Sequence, residues 1–112
     1  MTTLLVLFRR PEGGPEAVAA FERAYVETHL PDVVRTPGLR AFRCRRVSGG
    51  LGAETDLVLV AEMDFDDRAA LDAGLASDAM RAAGRNLRAI APGLATMLVV
   101  EPAPDLVPDG WA

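Results

Sequence analysis

The amino-acid sequence predicts an α+β domain: a four-stranded antiparallel sheet with its helices gathered on one face. Three observations lead there. Four short apolar runs alternate with two amphipathic stretches in the order β-α-β-β-α-β, a pair of split crossover units. Proline and glycine punctuate every junction between them. The 112 residues fit one domain, with no internal repeat and no linker long enough to divide it. Residues 1–101 are read as that domain and residues 102–112 as a Pro-rich C-terminal tail.

The first strand is Thr3 to Arg9 (TLLVLFR), stopped by Pro11, Gly13 and Gly14. Pro15 suits a first helical turn, and Glu12 and Glu16 lie near the positive end of the helix dipole. Val18, Phe21 and Tyr25 recur at spacings of three and four, and His29 continues that face one turn on. Pro31 disfavours helical geometry at Leu30, so the helix is expected to end there. After the turn Thr36-Pro37-Gly38, Leu39 to Val47 (LRAFRCRRV) reads as an edge strand guarded by Arg40, Arg43, Arg45 and Arg46. Gly49, Gly50 and Gly52 form a loop into the third strand, Asp56 to Phe65. Asp66 or Asp67 can cap a helix through Leu71 and Leu75, and Ser77 or Asp78 a further one through Met80, Leu87 and Ile90. Pro92 and Gly93 end it, and Leu94 to Glu101 (LATMLVVE) is the fourth strand.

Both faces of these strands are apolar. Leu5 and Leu7 oppose Leu4, Val6 and Phe8; Val58 and Val60 oppose Leu57, Leu59, Ala61 and Met63; Leu98 and Val100 oppose Met97 and Val99. Helices can bury only one face, so the other calls for a partner sheet, most simply that of a second copy in a homodimer.

Composition removes several mechanisms. All twelve basic residues are Arg, which excludes a Schiff-base lysine and a Walker-type phosphate lysine. A single Cys, Cys44, and a single His, His29, exclude an intramolecular disulfide and multi-cysteine or multi-histidine metal sites, and no metal is expected. A net charge of −4 argues against nucleic acid or an anionic membrane as partner. No signal peptide or membrane span is read in the sequence, and the expected location is cytoplasmic.

The segment Tyr25-Val26-Glu27-Thr28-His29-Leu30-Pro31, followed by Pro37-Gly38-Leu39-Arg40, resembles the hallmark of the EthD-like family of the dimeric α+β barrel superfamily. Leu5 to Pro11 (LVLFRRP), and Met63 to Asp67 (MDFDD) before an Ala-rich helix, resemble it too, so the likeness spans most of residues 1–101. The resemblance implies a ferredoxin-like protomer, two sheets meeting in a dimeric barrel, and a pocket between sheet and helices. Its namesake is an accessory to ether degradation by an oxygenase system. The wider superfamily holds lactone isomerases, polyketide cyclases or dehydratases, cofactor-free monooxygenases and haem enzymes, and fold does not choose among them.

His29 is the sharpest chemical candidate, because a neutral imidazole can take a proton from a carbon acid or hydroxyl and return it elsewhere. Tyr25, one turn earlier, can donate a hydrogen bond to a substrate carbonyl or to the ring. The plainer alternative is a helix-capping histidine with Tyr25 as core filler. Phe21, Phe42 and Met63 are candidate substrate-binding walls. The four arginines, the Gly13-Gly14 pair and Cys44 read more readily as a solvated edge, a turn and a small core residue. The expected function is cofactor-independent proton-transfer chemistry (isomerase, dehydratase/cyclase or monooxygenase type) on a hydrophobic carbonyl or phenolic metabolite. The alternatives are a non-catalytic binding or accessory protein for an oxygenase system and, with one axial ligand, haem binding through His29. Leu106, Val107 and Trp111 are expected to dock the tail on the barrel or on a partner chain.

Overall fold

The computed structural model describes residues 1–111 and contains strands β1 (Thr2–Arg9), β2 (Ala41–Arg46), β3 (Leu57–Phe65) and β4 (Ala95–Val100) in one sheet. Their order is β2-β3-β1-β4, with every neighbouring pair antiparallel. Helix α1 (Gly14–Ala24) runs into a π-helical turn (Tyr25–His29) and then α2 (Leu30–Val33); α3 (Arg68–Leu75) and α4 (Asp78–Ile90) follow β3. This is the ferredoxin-like arrangement, and α3 packs on the central strands β1 and β3.

The anticipated signals act where the helices begin. Asp67 accepts the amide of Ala70 to start α3, and Ser77 accepts that of Met80 to start α4. Gly13, at φ 114, opens α1 in a conformation that disfavours a side chain. Gly74 lets α3 press close to β3: a Cβ there would stand 2.8 Å from the Phe65 ring and 3.2 Å from the Pro37 carbonyl.

One helix boundary differs from expectation. The helix does not end at Leu30 but passes through Pro31 to Val33. The intervening π turn explains this, because the Leu30 amide reaches back five residues to the Tyr25 carbonyl and widens the ladder immediately before the residue that has no N–H to give.

The core lies between sheet and helices. Leu4, Val6, Phe8, Leu59, Ala61, Met63 and Phe65 are buried beneath Phe21, Tyr25, Val33, Leu71, Ala83 and Leu87. A bulge between Phe8 and Arg9 against β3 breaks the expected alternation, so Val58 is buried alongside Leu59. The opposite face carries Leu5, Leu7, Val60, Leu98 and Val100, none of them fully covered within the protomer. The tail does not dock on its own protomer: Leu106 and Trp111 remain 79% and 78% exposed. A short 3-10 turn at Pro104–Leu106 gives it local form.

Candidate functional site

The π turn and α4 together build the site. A π turn inserts an extra residue into the helical ladder, and here the turn spans Tyr25 through His29, the two candidate chemical residues. It buries both, leaving His29 5% and Tyr25 3% exposed. Their rings lie 5.2 Å apart between centroids, and Tyr25 also meets Phe8 edge-on at 5.4 Å.

His29 is held by a residue that sequence reading passed over. Its Nδ1 lies 2.7 Å from Oδ1 of Asn86 on α4. The amide nitrogen of Asn86 donates to the Thr28 carbonyl at 3.1 Å and to Asp32 Oδ2 at 2.8 Å. Two acceptors on the nitrogen fix which end of the amide is oxygen, and an amide oxygen can only accept. His29 Nδ1 is therefore the donor, and in the neutral ring Nε2 keeps its lone pair. Among the described residues the only fully buried side-chain polar atom without a partner is Thr36 Oγ1, so Nε2, which has no hydrogen bond, keeps accessible surface.

His29 borders a cavity of about 180 Å³, the inner cavity, walled by β1, β3 and β4 below and by α3 and α4 above. Tyr25, Val33, Ala61, Met63, Met80 and Met97 contribute to its lining. The walls are apolar apart from the imidazole. Three methionines give it adaptable sides. Small-molecule and cofactor sites usually have roughly 300–1,000 Å³, so this space beside His29 is too small for a haem.

The other sequence candidates fall in different places. Met63 lines the inner cavity. Phe21 stacks in the core, 5.5 Å from Phe8 and 5.9 Å from Tyr25, and Phe42 packs half-buried against the core from β2; neither lines that cavity. Tyr25 does not hydrogen-bond the imidazole, whose Nδ1 belongs to Asn86. Its hydroxyl is turned toward the Cys44 thiol on β2, and burial, followed by that neighbour, raises its pKa far above the ordinary phenol value.

The β2 arginines are ion-paired. Arg40 pairs with Asp66, Arg43 with Glu62 and Asp64, Arg45 with Glu62, and Arg46 with Glu22. Asp64 also accepts from Thr3 Oγ1 at 2.6 Å, and Arg43 and then Thr3 hold its carboxyl below the usual carboxylate range. Arg43, Arg45, Glu62 and Asp64 cluster on the uncovered face, away from His29, whereas Arg46 reaches Glu22 of α1 on the helix side of the sheet. Among the described residues no group of three His, Cys, Asp or Glu side chains is placed to hold a metal ion.

No protein-family model and no curated protein sequence matches the chain. Solved structures do. SnoaB from Streptomyces nogalater, a cofactor-independent oxygenase, is 22% identical with a TM-score of 0.63 over 90% of this chain and 91% of that one. A dimeric ferredoxin-like protein from Jannaschia sp. CCS1 is also 22% identical, with a TM-score of 0.65 over 91% of this chain and all of that one. At that identity these two share the fold. An ethyl tert-butyl ether D (EthD) family protein from Bacillus halodurans C-125 is 30% identical with a TM-score of 0.82, over 92% of this chain and 99% of that one. With its ferredoxin-like sheet and an identity at that level across nearly the whole domain, the chain belongs to the EthD family.

Proposed function

We propose that the chain is a small-molecule enzyme that binds a hydrophobic carbonyl- or phenol-bearing metabolite in the inner cavity and moves a proton through Nε2 of His29. One observation carries this reading: Asn86 fixes the proton on Nδ1, leaving the basic nitrogen unbonded at the edge of an apolar cavity. A carbon acid or phenol bound there loses its proton to Nε2, and the imidazolium formed keeps its Nδ1–H bond to the amide. The proton then returns to another atom of the same molecule, which isomerises it, or assists departure of a hydroxyl. In an oxygenase, deprotonation makes the substrate electron-rich enough to react with dioxygen. SnoaB, which shares the fold, is a cofactor-independent oxygenase. The ring of Tyr25 supports the imidazole by packing, and Met63 supplies part of the wall.

The same reading includes a homodimer formed through the uncovered face of the sheet. Leu5, Leu7, Val60, Leu98 and Val100 make that face apolar, and fold relatives are described as dimeric. An interface of this kind resembles a divided core.

The proton-transfer step is tested with 2-tetralone, a bicyclic ketone whose α-protons exchange with D2O at a rate read by NMR. The wild-type protein accelerates exchange, and His29→Ala reduces that acceleration by roughly 10²- to 10⁴-fold, the usual contribution of a positioned general base. Exchange as fast in His29→Ala as in wild type would remove His29 from the chemistry. Saturable binding of the ketone without accelerated exchange by the wild-type protein would make the chain a carrier rather than an enzyme for such compounds.

A further inference from the structure

Tyr25 separates two cavities. On the side away from His29 lies a second one, the edge cavity, of about 240 Å³ between the α1–π segment and edge strand β2. It is lined by Glu22, Tyr25, Val26, Leu30, Cys44, Arg46 and Leu59. The Tyr25 side chain is almost wholly buried, with its hydroxyl turned this way. Only the Cys44 thiol, a weak hydrogen-bonding group, stands beside it.

We propose that the edge cavity binds the carbonyl end of a small neutral ligand, with the Tyr25 hydroxyl as the principal donor and the Cys44 thiol and Arg46 beside it. The polar groups are matched to an uncharged acceptor. Burial keeps the Tyr25 phenol protonated, and burial likewise raises the Cys44 thiol, so at neutral pH both groups offer hydrogen. Arg46 presents Nε and Nη2 to Glu22 at 2.9–3.2 Å, which leaves the cavity without net charge and Nη1 unengaged. A carboxylate would add an uncompensated negative charge beside Glu22. Val26, Leu30 and Leu59 provide apolar walls for a ring or short chain attached to the carbonyl. The volume, below the usual range for drug-sized ligands, suits a one-ring molecule. This site stands on its own observations and does not rest on proton transfer at His29.

Cys44 is not the small core residue expected from the sequence but is solvent-accessible on β2; because it is the chain's only cysteine and part of the cavity lining, its alkylation rate reads occupancy of the edge cavity. With iodoacetamide as the reagent, acetophenone is expected to slow alkylation of the full-length protein saturably. Ethylbenzene, the same shape without the carbonyl oxygen, and benzoate, the charged analogue, should each be several-fold weaker protectants. Tyr25→Phe should weaken acetophenone by about fivefold, the scale of one hydrogen bond, to the level of ethylbenzene. Val26→Phe, a change at an exposed helix position, should fill the cavity and abolish protection. His29→Ala should leave protection unchanged. Equal protection by acetophenone and ethylbenzene, or by acetophenone in wild type and Tyr25→Phe, would reduce the site to an apolar crevice and overturn the proposal. So would the absence of protection at any soluble concentration. Loss of protection in His29→Ala would place the ketone in the inner cavity instead, overturning this proposal while leaving the proton-transfer reading intact.

Discussion

The two faces of the sheet are written in the same alternating apolar code and come to opposite ends. On one, Leu4, Val6, Phe8, Ala61 and Met63 are sealed beneath helices, and His29, the polar group buried among them, is held by the amide of Asn86. On the other, Leu5, Leu7 and Val60 lie beside fully charged groups, Arg43 with Glu62 and Asp64, which a protomer can keep partly hydrated. A charge pair loses less at a face that retains water than in a closed interior. Apolar alternation therefore says that both faces will be covered. The kind of polar group says which one is covered by the chain itself.

The largest expected contrast is in stability. Leu71→Ala, which empties a fully buried position on α3, should cost about 2–5 kcal/mol in chemical denaturation. Leu98→Ala on the uncovered face, at 44% exposure, should cost well under half as much when measured at concentrations too low for association. Equal losses would erase the distinction between the faces.

Next comes association. Val60→Arg places a charge at the centre of the uncovered face and should leave the fold intact while converting a dimer to a monomer in sedimentation at micromolar concentration. A wild-type protein that sediments as a monomer would break the proposed pairing outright. The exposed Leu106 and Trp111 of the tail would then lack the partner surface that remains open to them.

A smaller effect concerns acid. Asp64 has its pKa lowered by Arg43 and Thr3, so the folded chain holds fewer protons there than the unfolded one. Its contribution is complete above roughly pH 4–5, above the unfolded value, and is lost as pH falls through the depressed folded value. Asp64→Asn should lower stability at neutral pH and flatten part of the acid limb of the stability curve. An acid limb unchanged by the substitution would assign the sensitivity to Glu22 or Asp66, whose pKa values are lowered by Arg46 and Arg40.

Much of this architecture was legible because it rests on local rules. The succession of strands and helices along the chain followed from apolar runs, and Asp67 and Ser77 announced their helices through capping chemistry that acts over three residues. What escaped was non-local. Asn86 reads as an ordinary polar position of an amphipathic helix, and its pairing with His29 spans 57 residues that only the folded chain brings together. The π turn escaped because Pro31 carries a strong stop signal, and a widened ladder that absorbs it has no sequence signature of its own. Cys44 has no base nearby in sequence, yet the fold sets it against Tyr25 across the gap between α1 and β2. The face assigned to Val58 was wrong because a bulge against Arg9 resets the alternation.

The central claim is that Asn86 holds the proton of His29 on Nδ1 and so presents Nε2 to the inner cavity. Because the chain has one histidine, its ring nitrogens can be observed without ambiguity by 15N NMR of histidine-labelled protein at a pH where the ring is neutral. Nδ1 should be protonated and Nε2 unprotonated, with the preference lost in Asn86→Leu. A protonated Nε2 in the wild-type protein, or a tautomer indifferent to Asn86→Leu, would contradict it.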